Sequence, residues 1–262
     1  MIPFDLVSDL HLPNYSEGDL RGLKPSSSVL ALLGDVCEIY NFPRIKKFFE
    51  YVSANWDYVL YVPGNHEFYG SILKGSVDRM REFLHPFRNI VILDNDVVSI
   101  DNVRYIGSTL WSDMDREDPL SMLACKDLIN DYHHIYKAVR GKVTSITPED
   151  TIRLFDKNVE FIKTMLDISN DPLNVVLTHH APSYQSVSPR FVGNAANGAF
   201  VSNLEDFIID HPKILVWAHG HTHSWVDYDI GNCRVVGNPL GYRRELYRND
   251  NEYKPLTIEV LQ

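Results

Sequence analysis

Short apolar runs that end abruptly in polar residues dominate the hydrophobic pattern of this chain. Their length and their many β-branched residues predict strands that are buried on both faces of a sheet. The five clearest runs are Ile2–Val7, Val29–Leu33, Tyr58–Val62, Val175–Leu177 and Ile214–Trp217. Residues 89–106 contain three more short runs, which predict a β-meander, and residues 234–236 and 256–261 predict two strands near the C-terminus.

Helical spacing lies between some of these runs. Apolar residues recur every three or four positions in the stretches 45–52, 77–84 and 152–166, as one buried helix face requires. The third stretch follows Thr147-Pro148-Glu149-Asp150, which combines an N-cap residue, a first-turn proline and two acids. Strands that alternate with helices at both ends of the chain indicate an α/β fold.

The length of 262 residues suits one large domain or two small ones. Because the sequence shows no repeat, no low-complexity tract and no clean boundary, we expect a single domain over residues 1–262. The polar, irregular stretch from about 111 to 146 predicts a partly helical insertion.

Composition excludes several classes of protein. A net charge of −10 argues against an extended nucleic-acid-binding surface or an anionic-membrane role, since both need a basic face. Cys37, Cys125 and Cys233 are far apart and form no CxxC pair, which predicts free thiols. No signal peptide is visible, and no run approaches the ~20 apolar residues that span a bilayer, so we expect a cytoplasmic protein without a membrane partner.

The polar residues that end the predicted strands can all bind a metal. They are Asp9 and His11, Asp35, Asn65 and His66, His179 and His180, and His219, His221 and His223. In open α/β sheets, ligand sites form at the carboxyl ends of the strands. Each group alone is unspecific, but the ordered set predicts a metal site.

The ordered series D-x-H, G-D, G-N-H-E, H and G-H-T-H, from Asp9 to His223, resembles the calcineurin-like metallophosphoesterases. The resemblance implies two mixed β-sheets packed as a sandwich and flanked by helices, in four αββα layers. It implies a first metal held by Asp9, His11, Asp35 and His223. It implies a second metal held by Asp35, Asn65, His179 and His221, with His66 as the catalytic general acid.

Three positions near this series leave alternatives. His179 is favoured over His180 because it directly follows its strand, and regular structure fixes a ligand best. His219 is expected to support or pack rather than to bind. Glu38 occupies the place of an aspartate that supports the catalytic histidine in the serine/threonine phosphatase branch; it either hydrogen-bonds His66 or faces solvent or another partner.

The chemistry of this residue set suits an anionic ester. Two divalent ions bring four positive charges, and Asp9, Asp35 and a bridging hydroxide remove three, so one positive charge remains for a phosphate. Because imidazoles predominate, we expect two divalent transition-metal ions, manganese first and iron, zinc or nickel as alternatives, rather than calcium or magnesium.

The resemblance implies that the insertion at about 111–146 shapes a substrate cap. Candidate substrate-binding residues lie at the rim: Asn130 in the insertion, Tyr242 and Arg243. A guanidinium matches phosphate geometry, although a solvated pair of Arg243 and Arg244 is the alternative. We expect hydrolysis of a small soluble phosphomonoester or phosphodiester, with a nuclease or cyclic-nucleotide phosphodiesterase as the alternative. A non-catalytic scaffold is disfavoured because His66 and every expected ligand are present. The sequence leaves the oligomeric state open.

Overall fold

A computed structural model describes residues 2–12, 23–168, 173–242 and 253–260. Two large mixed sheets form its frame. The first contains β1 (Ile2–Val7), β2 (Val29–Leu33), β3 (Tyr58–Val62), β4 (Ile90–Ile92) and β13 (Leu256–Val260), in the order β13-β1-β2-β3-β4. The second contains β5 (Asp96–Ile100), β6 (Val103–Ser108), β9 (Asn174–Thr178), β10 (Ile214–His219), β11 (Val226–Ile230) and β12 (Cys233–Gly237), in the order β11-β12-β10-β9-β6-β5.

The central strands of both sheets are parallel, and the antiparallel strands lie at the edges. In the first sheet β1, β2, β3 and β4 run parallel, and β13 pairs antiparallel with β1. In the second sheet β12, β10, β9 and β6 run parallel, and β11 and β5 are antiparallel edge strands. Parallel central strands bring their carboxyl ends to one edge of each sheet.

The sheets pack face to face, and helices cover their outer faces. The helices are α1 (Lys46–Asn55), α2 (Ser76–Leu84), α3 (Met114–Glu117), α4 (Pro119–Leu128), α5 (Asp131–His134), α6 (Pro148–Asp167) and α7 (Glu205–Asp210). Short 3₁₀ helices occupy Ile39–Ile45, His66–Phe68, Tyr184–Ser186, Pro189–Phe191 and Ala195–Ala199. The expected four-layer αββα arrangement is confirmed.

Strand β2 illustrates why its apolar run is continuous. Ala31 and Leu33 belong to the core between the sheets, whereas Leu30 and Leu32 belong to the core beneath α1 and α2. Because successive side chains point to opposite faces, a strand covered on both sides needs an apolar residue at every position. On the far side, α6 packs Phe155 and Ile162 into the core against the second sheet.

The predicted meander over residues 89–106 is wrong. β4 pairs with β3 in the first sheet, whereas β5 and β6 form an antiparallel hairpin in the second. The chain crosses between the sheets around Leu93, whose buried side chain packs in the core between them. The hydrophobic pattern of three short strands is the same whether or not they pair with one another. Their spacing therefore does not reveal which strands they pair with.

The stretch 111–146 contains the short helices α3 to α5 and a hairpin formed by β7 (Tyr136–Val139) and β8 (Lys142–Ser145). All four residues of α3 have positive φ, between 55° and 61°, so this single turn is left-handed. The hairpin and the left-handed turn were not predicted from the sequence. That the chain forms one domain stays a prediction.

Two smaller expectations concern the cysteines and the membrane. Cys37, Cys125 and Cys233 are buried and free, as predicted. In the part of the chain that the structure describes, no helix has the length and apolar character required to cross a membrane.

Candidate metal centre

The polar ends of five strands meet at one place between the two sheets. Asp9 and His11 follow β1, Asp35 follows β2, Asn65 follows β3, His179 follows β9, and His221 and His223 follow β10. Within the first sheet, the His11 N–H donates to the Asp35 carbonyl at 2.9 Å. Between the sheets, the His221 N–H donates to Asp9 Oδ1 at 3.0 Å. These bonds fix the segments that carry the predicted ligands against one another.

A first group of potential ligand atoms comes from Asp9, His11, Asp35 and His223, whose donor atoms lie within 4.8 Å of one another. His11 Nε2 is 3.1 Å from His223 Nε2, and His223 Nε2 is 3.5 Å from Asp9 Oδ1. This set equals the one that the resemblance implies for the first metal.

A second group shares Asp35 with the first and adds His179 and His221, again within 4.8 Å. His179 Nε2 lies 3.1 Å from His221 Nδ1 and 3.0 Å from Asn65 Oδ1. The structure therefore brings together all seven residues that were predicted as metal ligands, with Asp35 between the two groups.

The chemistry of both groups fits divalent metal ions. A neutral imidazole nitrogen without a proton carries a lone pair, and two such nitrogens 3.1 Å apart repel unless a proton or a cation lies between them. Asp9 and Asp35 are buried carboxylates, which need compensating positive charge. Mixed nitrogen and oxygen donors of this kind suit manganese, iron, zinc or nickel.

The tautomer of His179 is set by a backbone oxygen. Its Nδ1 lies 2.8 Å from the Leu33 carbonyl, which can only accept, so Nδ1 carries a proton and Nε2 is the nitrogen that faces the second group and has a lone pair once the ring is neutral. The neighbouring His180 instead directs Nδ1 to the Thr109 carbonyl at 3.1 Å. The structure thus brings His179, and not His180, to the second group.

His219 lies outside both groups, as expected from the sequence. Its Nε2 is 2.7 Å from Ser186 Oγ and its Nδ1 is 2.9 Å from the Gly220 carbonyl. The next residue, Gly220, allows a close approach of the chain to the first group. A Cβ at this position would lie 2.6 Å from Asp9 Oδ2, so only glycine leaves room for that carboxylate.

Five of the seven predicted ligands have left-handed backbone conformations. The φ angles are 54° at Asp9, 43° at His11, 52° at Asp35, 67° at His221 and 49° at His223. Such conformations cost about 1–3 kcal/mol each at non-glycine residues and persist where surrounding contacts enforce them. Their concentration at these strand ends is typical of a functional site.

Buried Glu67 braces the segments that carry Asp35 and Asn65. Its carboxylate accepts from the backbone N–H groups of Asp35, Val36 and Gly64, at 2.9, 2.8 and 2.6 Å. It also accepts from the Tyr61 hydroxyl at 2.7 Å. This role of Glu67 was not predicted from the sequence. The available signal was its place as the last residue of the G-N-H-E motif, directly after His66.

Glu38 requires a correction. Its partly exposed carboxylate accepts a hydrogen bond from Asn41 Nδ2 at 2.9 Å, and it makes no hydrogen bond to His66 among the described residues. The physical reason is local. The 3₁₀ helix Ile39–Ile45 begins directly after Glu38, and Asn41, in its first turn, donates a hydrogen bond to the carboxylate. Glu38 is therefore paired with another partner, which was the alternative to a hydrogen bond with His66.

His66 lies at the mouth of the site, with 16% of its side chain exposed. Its Nε2 is 3.0 Å from the Tyr242 hydroxyl and 3.8 Å from Asp35 Oδ2. The ring stacks on Tyr69, with centroids 4.1 Å apart. Tyr242 also stacks on His11 at 4.3 Å, so this predicted substrate-binding residue contacts the site directly.

A cleft of about 400 Å³ opens above the two groups. One wall comes from Leu128–Asp131 of the insertion and includes the predicted Asn130; the other comes from residues 187–200. Tyr242 also lines this cleft. The third predicted substrate-binding residue, Arg243, lies outside the residues that the structure describes, as does Arg244.

Charge and burial prepare these side chains to bind a cation. Burial by itself would raise the pKa of Asp35, but His179, His66 and His11 outweigh it and hold this pKa well below the usual range. Burial lowers the pKa of His11 to about 3 and that of His221 well below its usual value. Burial opposes protonation of His179 too, but Asp35 prevails and raises its pKa to about 9. His11 and His221 are thus neutral and can offer a lone pair to a metal ion, whereas His179 must first release a proton.

Comparison with known proteins gives concordant results. A family model described as calcineurin-like phosphoesterase matches residues 2–225. The uncharacterized protein L509 of Acanthamoeba polyphaga mimivirus is 34% identical over 244 residues, which cover 88% of this chain and 84% of that protein.

Two solved structures share the fold. The phosphopantetheinyl hydrolase PptH from Mycobacterium tuberculosis is 15% identical with a TM-score of 0.73, over 97% of this chain and 95% of that chain. A dimetal phosphatase from Danio rerio is 14% identical with a TM-score of 0.51, over 90% and 86%. At such identities, these similarities show the fold alone.

Proposed function

The chain belongs to the calcineurin-like phosphoesterase family, and from this premise we propose that it hydrolyses a small phosphate ester at a dinuclear metal centre. The observation that supports this most is the pair of buried ligand groups that share Asp35. The first ion would be held by Asp9, His11, Asp35 and His223, and the second by Asp35, Asn65, His179 and His221. When bound, two divalent ions activate water and stabilise charge on a phosphate for in-line displacement.

His66 is the proposed general acid. It lies beside both groups without belonging to either, and its partly exposed ring borders the cleft. A proton on its Nε2 would pass to the leaving oxygen of the ester. The Tyr242 hydroxyl, 3.0 Å from this nitrogen, orients the ring, a function that the sequence-based proposal gave to Glu38.

The cleft favours a small ester whose organic part is partly apolar. Its walls expose Leu128 and Phe191, which are 68% and 43% accessible, beside the neutral amide of Asn130. Apolar surface at a site gains free energy when a ligand covers it. Asn130 and Tyr242 remain the proposed substrate-binding residues, and Arg243 is a further candidate. The cytoplasmic location and the preference for manganese remain predictions.

A substrate panel with and without manganese tests this proposal. It contains p-nitrophenyl phosphate, its bis-ester, 2′,3′-cyclic nucleotides and short oligonucleotides. It also contains a phosphopantetheinyl ester, because one structural neighbour carries the name of a phosphopantetheinyl hydrolase. We expect manganese-dependent turnover of at least one small ester. Preferential cleavage of oligonucleotides would instead support the nuclease alternative.

Variants connect this turnover to His66. We expect His66→Ala to lower kcat by about 10²–10⁴-fold, the usual contribution of general acid–base catalysis, with unchanged metal content. The control is His85→Ala, because His85 is an exposed histidine at the end of α2, and it should match the wild type. A wild type that binds no metal and cleaves nothing in the panel would refute the proposed enzymatic activity and support the non-catalytic scaffold.

A further inference from the structure

Asp131, the first residue of α5 in the insertion, makes two hydrogen bonds beside the second ligand group. It is buried, with 2% exposure. Its Oδ1 accepts from Asn65 Nδ2 at 2.7 Å and from the Tyr69 hydroxyl at 2.7 Å. The insertion thus reaches the side chain of a proposed metal ligand.

The bond to Asn65 decides which end of its amide faces the second group. An amide has a donor end and an acceptor end, and only the acceptor end can bind a cation. Asp131 Oδ1 takes the donor end, and Asn65 Oδ1 is left 3.0 Å from His179 Nε2. If the acceptor at position 131 were lost, the Asn65 NH₂ group would keep only the Tyr69 hydroxyl, at 3.5 Å, and the amide could turn this group towards the cation.

Backbone hydrogen bonds hold α5 next to the segment that follows His66. The Gly70 N–H donates to the His134 carbonyl at 2.7 Å, and the Tyr136 N–H donates to the Ser71 carbonyl at 2.9 Å. The Leu73 N–H donates to the Tyr136 carbonyl at 2.8 Å. The position of Asp131 is therefore fixed by the main chain on this side of the insertion.

We propose that Asp131 is a positioning residue for Asn65, so that the insertion completes the second metal site in addition to forming a wall of the cleft. This inference rests on the proposed dinuclear centre. Tyr69 donates to the same oxygen and stacks on His66. A substitution of Tyr69 therefore removes this second hydrogen bond of Asp131 and shows whether the bond to Asn65 alone is sufficient.

Manganese titration of the metal-free protein, without substrate, measures the effect. We expect Asp131→Ala to weaken manganese binding at the second ligand group by about 10–100-fold, as is usual when a partner of a metal ligand is lost. Affinity at the first ligand group should stay unchanged. Asp131→Asn keeps an accepting oxygen and should restore affinity to within about threefold. Tyr69→Phe removes the longer contact of Asn65 Nδ2 with the Tyr69 hydroxyl, at 3.5 Å, but keeps the Asn65–Asp131 bond, and it should bind both ions.

Two controls separate positioning from a general loss of structure. Asp127→Ala makes the same substitution at an exposed residue of α4 and should leave both binding events unchanged. In an Asn65→Ala background, Asp131→Ala should weaken binding no further, because Asp131 acts through the Asn65 amide.

The outcomes distinguish this inference from the proposed function. Unchanged second-site affinity in Asp131→Ala would overturn the inference alone, as would equal weakening of both sites or failure of Asp131→Asn to restore binding. A wild type that binds two manganese ions but cleaves no ester would overturn the proposed reaction and leave the positioning role intact. A wild type that binds no manganese would overturn both.

Discussion

Substitution of Glu67 by glutamine tests how the metal centre is braced. Each carboxylate oxygen accepts two hydrogen bonds: Oε2 from the N–H groups of Asp35 and Gly64, and Oε1 from the Val36 N–H and the Tyr61 hydroxyl. Burial, followed by the nearby charge of Asp35, raises the pKa of Glu67. A glutamine replaces one oxygen by an NH₂ group, so at least one backbone N–H faces a donor.

The expected cost follows from these bonds. The Tyr61 hydroxyl can rotate and accept from the new NH₂ group, so the smallest loss is one backbone hydrogen bond to a charged acceptor. Such a bond contributes about 1.5–3 kcal/mol, and the remaining bonds weaken when the acceptor becomes neutral. We therefore expect Glu67→Gln to lower the free energy of unfolding by about 3 kcal/mol.

Urea denaturation of the metal-free protein measures this change, and manganese titration of the folded protein measures its effect on the site. Glu38→Gln is the matched control, because it makes the same substitution at a partly exposed glutamate near the site that bonds only Asn41 among the described residues. It should change the free energy of unfolding by less than about 0.5 kcal/mol and leave turnover unaffected.

The result that refutes this reasoning is a Glu67→Gln protein as stable as Glu38→Gln and equal to the wild type in manganese affinity. Both segments that Glu67 joins would then be fixed by other contacts. A loss of turnover in Glu38→Gln with intact stability would restore the sequence-based role of Glu38.

Three further predictions concern histidines and a tyrosine at the site. His221→Ala should bind one manganese ion per chain and His219→Ala two, as measured by metal analysis after dialysis; equal stoichiometry would contradict the ligand assignment. Burial lowers the pKa of His219 to about 4, below the value of about 6.5 for an unfolded histidine, so its contribution to stability is present above pH 6.5 and is lost as the pH falls towards 4. Between pH 7 and pH 5, urea denaturation should show that the wild type loses about 2 kcal/mol more than His219→Gln; equal losses would contradict burial of a neutral imidazole. Tyr242→Phe keeps the ring on His11 but removes the hydroxyl at His66, so steady-state kinetics should show kcat lowered about tenfold, the equivalent of one hydrogen bond, with unchanged metal content; wild-type kcat would remove Tyr242 from the mechanism.

The sequence predicted the strands best where both faces are buried. The continuous apolar runs Val29–Leu33 and Tyr58–Val62 coincide with β2 and β3, and α6 begins at Pro148 as its N-cap sequence indicates. The sequence did not indicate that β4 and β5 belong to different sheets, because partner choice depends on the core between the sheets. β11 was also missed, although Val226, Tyr228 and Ile230 alternate with polar residues.

For the site, an ordered motif series predicted residues that the fold then brings together. Their supporting residues were harder to predict. Glu67 acts through backbone N–H groups, which carry no sequence signature, and Asp131 approaches Asn65 across 66 positions. Glu38 illustrates the converse. Its place in a motif suggested a hydrogen bond to His66, but the nearby Asn41 amide donates to its carboxylate instead.

Anomalous diffraction at the manganese edge, on crystals grown with manganese, tests the dinuclear centre most directly. Our account predicts two peaks about 3.5–4 Å apart, one among Asp9, His11, Asp35 and His223 and the other among Asp35, Asn65, His179 and His221. A map without a peak at these residues, or with only a single peak there, would contradict it.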